Sequence, residues 1–115
     1  MKVSNFKSPK GNSVPNQFLI SDHDGTEYYQ SYRSIIAVRA INGKIFLNED
    51  SWDYSRTTSR YRNEFLGETT KETKEKIKSG EYKLTDQKSL NNIYSSRAFF
   101  DVLRHLYFPL FLLIL

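Results

Sequence analysis

A chain of 115 residues with 15% aromatic residues suits one small folded domain rather than a disordered segment, since disordered chains are poor in aromatics. It contains no Cys, which excludes disulfides, thiolate nucleophiles and cysteine-based zinc or iron–sulfur sites and fits a reducing cytoplasm. The net charge of +4 favours nucleic acid, anionic lipid or an acidic protein surface as a partner.

The chain opens on MKVSNFKSPKGNS, which has basic residues but no apolar run behind them and so is not read as a secretory signal. Lys2, Lys7 and Lys10 are spread along this Ser/Asn/Gly/Pro-rich arm. They are placed either to follow a phosphate backbone or to keep a loose terminus soluble. Four antiparallel strands follow, expected over 17–22, 26–32, 35–41 and 44–48. Asp22-His23-Asp24-Gly25 reads as a tight turn, with Gly25 taking positive φ. Its carboxylates and imidazole invite a metal reading, but the closing Glu of a calcium loop is missing and the turn is preferred.

The Tyr28-Tyr29-Gln30-Ser31-Tyr32 run alternates, so Tyr28 and Tyr32 are expected in the core with Tyr29 exposed. An exposed ring there would be a stacking platform for bases. Ser31 to Ser34 bends the chain. Asn42-Gly43, flanked by Ile41 and Lys44-Ile45-Phe46-Leu47, predicts a two-residue hairpin of the I′ type.

The second half turns helical. In SWDYSRTTSRYRNEFLG, residues 51–67, Ser55 is the expected N-cap and Gly67 the C′ residue. At about 100° per residue, Tyr54, Thr58, Tyr61 and Phe65 fall on one side. Arg56, Ser59, Arg60 and Asn63 fall on the other, and Arg62 lies to one side. Arg56, Arg60 and Arg62 are the candidate phosphate contacts, because a guanidinium donates two parallel hydrogen bonds to one anion. Ser59 and Asn63 would add neutral donors, and Lys7 and Lys10 further phosphate contacts. The competing reading is a solvated face whose arginines pair with Glu49, Asp50 or Glu64.

Thr69-x-x-Glu72 matches a capping box and predicts a helix over 70–79 closed by Gly80. Its Lys71, Lys74, Lys76 and Lys78 are diluted by Glu68, Glu72 and Glu75, the pattern of a solvated helix. Glu81 to Leu84 offers a short extra strand, and 85–92 reads as a polar linker. A last helix is expected from Ile93 to at least Tyr107, with His105 as a packing or surface residue. The closing run LYFPLFLLIL, 106–115, falls short of the roughly 20 residues a membrane-spanning helix needs and carries Pro109. It is expected to pack on the sheet, to dock a partner or to touch a membrane surface.

Phe6 to Asn12, Asn16-Gln17-Phe18, Gln30-Ser31-Tyr32 with Ile35-Ile36-Ala37, Asp53-Tyr54-Ser55 with Thr57-Thr58, and Tyr61 to Leu66 occur in an order that resembles a family. It is a domain of unknown function carried by phages, plasmids and other mobile elements. The resemblance covers residues 4 to 86 and implies a small cytoplasmic accessory protein, with no catalytic residues to carry over.

No Walker, Rossmann or nucleophile-elbow pattern occurs in the chain. The expectation is an α+β domain over 1–86, a four-stranded antiparallel β-meander followed by two or three helices packed on one face. Residues 87–115 would be a linker and apolar tail. Functionally the chain is expected to be a non-enzymatic protein without cofactor, metal or small-molecule substrate, binding nucleic acid. The alternative is a protein-interaction module such as an inhibitor of a host factor.

Overall fold

The computed structural model describes residues 1–93, an α+β arrangement around one six-stranded mixed sheet. In sheet order the strands are β1 (Lys2–Lys7), β2 (Ser13–Ser21), β3 (Glu27–Ser31), β4 (Ser34–Arg39), β5 (Ile45–Asn48) and β6 (Tyr82–Thr85). The first five run antiparallel in chain order, whereas β6 joins β5 in parallel. Parallel neighbours need a crossover connection. Here it carries α1 (Arg56–Leu66) and α2 (Thr70–Ser79). The expected four-stranded meander is therefore the middle of a wider sheet. The N-terminal arm, for which no strand was expected, is an edge strand paired from Lys2↔Ser21 to Lys7↔Ser13.

Three turns of one build set the register. In 8–12, 22–26 and 40–44 the first residue's N–H donates to the fifth residue's carbonyl. Its own carbonyl accepts from a glycine N–H in fourth place. Gly11, Gly25 and Gly43 have φ of 84°, 95° and 85° there, a region costly for a residue with a Cβ. This is the three-residue hairpin loop, a type I turn closed by a glycine bulge. It corrects the I′ turn expected at Asn42-Gly43, because Asn42 does not have positive φ and serves as a central residue of the type I turn.

Both helices begin and end where their caps dictate. The Ser55 hydroxyl accepts from the Thr58 N–H, and Gly67 takes φ of 69°. Thr69 and Glu72 close a reciprocal capping box, and Gly80 ends α2 at φ of 85°.

The sheet is covered on both sides. One core lies between the sheet and the helices: Phe6, Tyr29, Ile36, Leu47, Tyr61 and Phe65. Phe6 meets Tyr29 edge-on at 5.2 Å between ring centroids and Tyr61 at 5.4 Å. The opposite face gathers Ile20, Tyr28, Ile35 and Val38 against Leu90. Leu90 belongs to a third helix, α3, over 87–93, so the linker expected at 85–92 is instead the end of β6 and a helix docked by a buried leucine. The helices thus do not all lie on one face. Beyond Ile93, the expected last helix, His105 and the tail 106–115 lie outside the described residues.

Double coverage explains the tyrosines. Tyr28 is buried as expected, but Tyr29 is buried too, because α1 covers its face. Tyr32, expected in the core, is exposed: β3 stops at Ser31, and Tyr32 turns off the alternation with φ of 55°.

Candidate nucleic-acid interface

The loop before α1 is held from below. Asn48 Oδ1 accepts from the N–H groups of Asp50 and Ser51, fixing the path into the Ser55 cap. From that cap, Thr58, Tyr61, Arg62 and Phe65 form the buried stripe of α1 at i, i+3, i+4 and i+7. Tyr54 precedes the cap and lies outside this stripe; it is 79% exposed.

Arg62 is not available to a ligand. Its side chain is fully buried. Nη1 donates to the Trp52 carbonyl at 2.5 Å and to Asp53 Oδ1 at 3.2 Å. Nη2 donates to Asn63 Oδ1 at 2.9 Å and to Thr70 Oγ1 at 2.7 Å. The guanidinium also lies 5.1 Å from the Trp52 ring centroid. Arg62 is thus a strut tying the loop before α1 to the start of α2. Two other expected donors belong to the same network: the Ser59 hydroxyl donates to Asp53 Oδ1 at 2.7 Å, and Asn63 Nδ2 donates to Thr70 Oγ1. The Ser59 hydrogen bond, with the Arg62 charge, holds the Asp53 carboxyl below its ordinary range against a smaller opposing effect of burial.

Arg56 and Arg60 remain exposed. Neither forms an ion pair among the described residues, and in particular neither pairs with Glu49, Asp50 or Glu64. Arg60 leans on the Tyr61 ring at 5.8 Å. Phe6 packs on the same ring, which brings β1 and its exposed Lys7 up beside α1. Lys10 is exposed in the following turn, with no contact that draws it towards α1 among the described residues. Other cations are engaged: Arg39 pairs with Glu27 at 2.8 Å and donates to the Phe65 carbonyl at the end of α1. Lys76 pairs with Glu68 at 2.9 Å. Lys71, Lys74 and Lys78 stand exposed on α2.

Asp22 serves its turn. Its Oδ1 accepts from the N–H groups of Asp24 and Thr26, and its Oδ2 accepts from the Tyr28 hydroxyl at 3.1 Å. Burial first, and then Asp24, push its carboxyl up. Among the described residues no group of three or more His, Asp or Glu stands ready to hold a metal ion, and no helix is long and apolar enough to cross a membrane.

A cavity of about 400 Å³ opens between the N-terminus of α1, the middle of β2, the end of β3 and the first half of β4. Gln17, Ser31, Ile36, Ser51 and Thr58 line it, with Tyr32 and Tyr54 beside them. Most of these lie outside the candidate site residues that the sequence offers. Gln17 and Ser31 are register partners, and they are polar at positions whose neighbours on the same face, Leu19 and Tyr29, meet the helix-side core. Polar residues at core-facing positions were the available signal.

The chain belongs to the family of unknown function DUF8033, whose model matches residues 1–81, a span running from β1 through α2. No curated protein and no solved structure matches the chain.

Proposed function

We propose that this DUF8033 member is a small non-enzymatic accessory protein of a mobile element that binds nucleic acid through the exposed face of α1. The observation that carries it is a pair of guanidiniums, Arg56 and Arg60, one helical turn apart, exposed and without an ion pair among the described residues. The opposite face of the same helix is locked by Thr58, Tyr61, Arg62 and Phe65. A rigid helix presenting two adjacent guanidiniums loses little freedom when each takes a phosphate. Lys7 supports them from β1, and Lys10 lies further along the same hairpin. Arg62, Ser59 and Asn63 act behind the surface, as its frame. The mobile-element setting is supported by the resemblance alone, and a cytoplasmic location accords with a chain lacking Cys.

Binding of labelled single- and double-stranded oligonucleotides by the parent and by an Arg56→Ala/Arg60→Ala double variant tests the reading. The variant is expected to keep its Tm and to bind all sequences more weakly, since phosphate contacts carry no sequence preference. Parental affinity in the double variant would end it. A second reading, a protein-interaction module such as an inhibitor of a host factor, draws on the exposed rings of Tyr32 and Tyr54, a residue type common at interface hot spots. Capture of one defined acidic protein without retention of nucleic acid would favour it.

A further inference from the structure

Segments far apart in the chain meet at the cavity beside α1. Asn16-Gln17, Gln30-Ser31-Tyr32, Ile36, Tyr54-Ser55 and Thr57-Thr58 carried much of the family resemblance, and most of them line this one space. Its volume of about 400 Å³ is within the usual range for small-ligand sites. Its lining includes no charged side chain, which points to a neutral occupant.

Two polar groups of the lining have hydrogen-bonding capacity to spare, and one of them is a fully buried atom. Gln17 is 2% exposed; its Oε1 accepts from the Tyr29 hydroxyl, and its amide nitrogen has no hydrogen-bond partner among the described residues. The Tyr29 phenol, pushed up to about 12 by burial, stays protonated and so holds the Gln17 amide in one orientation. The Ser51 hydroxyl is the buried atom, and it has no hydrogen-bond partner. A buried donor left without an acceptor is costly, so such groups commonly mark a place where something else supplies the bond.

The lip is aromatic and strained. Tyr32 has φ of 55° and Asn16 φ of 64°, with the Tyr32 N–H donating to the Asn16 carbonyl at 2.8 Å. Gln30 Nε2 donates to the Tyr32 carbonyl at 2.7 Å. Left-handed backbone is unfavourable for a bulky residue and persists where its surroundings enforce it, frequently at functional sites. Here it holds a ring at the mouth of the cavity, with Tyr54 as a second exposed ring on the lining. Arg33 and Arg56 adjoin this lip in sequence, both exposed.

Resting on the nucleic-acid reading above, we propose that this cavity takes one unpaired nucleobase, so that the ligand of the basic face is a single strand. A base is neutral, planar and edged with acceptors for the Gln17 amide, and its faces stack on tyrosine rings. The strand's phosphates then fall to Arg56 and Arg33 beside the lip. In a duplex the same base faces are hidden by stacking.

The test is an anisotropy titration of the full chain with labelled oligothymidylate, oligouridylate and a duplex of equal length. Single strands are expected to bind more tightly than the duplex. Tyr54→Ala, at an exposed position outside the core, is expected to weaken single-strand binding roughly 5- to 100-fold, the loss that follows removal of one stacking ring. Tyr54→Phe should restore it, and duplex binding should not change. Equal affinity for both forms, unmoved by Tyr54→Ala, overturns the base pocket and leaves the basic face standing. Binding of neither form overturns both.

Discussion

Replacing Arg62 with alanine separates a structural arginine from a ligand-binding one. The change deletes a fully buried side chain whose two terminal nitrogens donate to Trp52, Asp53, Asn63 and Thr70. The orphaned Trp52 carbonyl alone costs about 1–3 kcal/mol. Loss of the guanidinium against the Trp52 ring adds about 0.5–2 kcal/mol. The Asp53 partner is 36% exposed and can turn to water, so the ion pair itself is worth only about 0–1 kcal/mol. Together these give a loss of about 1.5–6 kcal/mol, a span that includes the ~3–5 kcal/mol typical of breaking a buried pair. Against a total stability of about 5–15 kcal/mol for a domain, that is a large fraction. Urea unfolding read by Trp52, the only tryptophan, measures it directly. Arg56→Ala, on the exposed face, is the control and should stay within about 0.5 kcal/mol of the parent. A loss below about 1 kcal/mol for Arg62→Ala, or weakened ligand binding at parental stability, would refute the assignment of Arg62 as a strut.

Further tests follow the same logic. Tyr32→Gly relieves a positive-φ strain of about 1–3 kcal/mol while giving up a ring that is 64% exposed, so its Tm should hold or rise although single-strand binding falls; a clear drop in Tm would contradict the strain argument. Glu68→Gln weakens the acceptor that holds the Tyr82 hydroxyl, the Thr73 hydroxyl and Lys76 Nζ, and should cost about 1–3 kcal/mol in urea unfolding. The pH dependence is set by the same carboxylates. Burial opposes ionisation of Glu68, but hydrogen bonds from Tyr82, Thr73 and Lys76 outweigh it, and its carboxyl lies below the ordinary 4.5; Asp53 lies below 3.8. A lowered carboxyl stabilises the fold above its ordinary value, and that contribution disappears as pH falls through the lowered one. Asp22, pushed up chiefly by burial, acts with the opposite sign, since acid relieves its disfavoured charge. Stability should therefore decline as the pH drops below about 4.5, and the decline should shrink in Glu68→Gln; an unchanged acid limb would count against the Glu68 network.

What could be read from the sequence was what neighbouring residues decide. Ser55 and Gly67 cap α1 and Thr69-Glu72 boxes α2 because caps are contacts within a few residues. The turns at Gly25 and Gly43 were recognisable too, although the one at Gly11 was not, nor was the loop length at Asn42-Gly43, since type I with a bulge and type I′ use similar residues. β1 has no sequence signature, because only Phe6 of its residues is buried and no alternation results. Alternation also could not sort Tyr28 from Tyr29, as both faces of the sheet are covered. Arg62 lies within the i, i+3, i+4, i+7 stripe of Thr58, Tyr61 and Phe65, a placement that argued for burial. Its acceptors come from the loop before α1 and from the start of α2, so the helix pattern alone did not reveal them. The cavity was least legible of all, because several segments distant in sequence supply its walls.

The most direct measurement of the central claim is the salt dependence of oligonucleotide affinity for the parent and for Arg56→Ala/Arg60→Ala. Each phosphate contact contributes about 0.7–0.9 to the slope of log affinity against log salt. The double variant should therefore lose a slope of about 1.4–1.8 while unfolding at the parental urea concentration. Identical slopes for the two proteins would contradict the assignment of Arg56 and Arg60 as phosphate contacts.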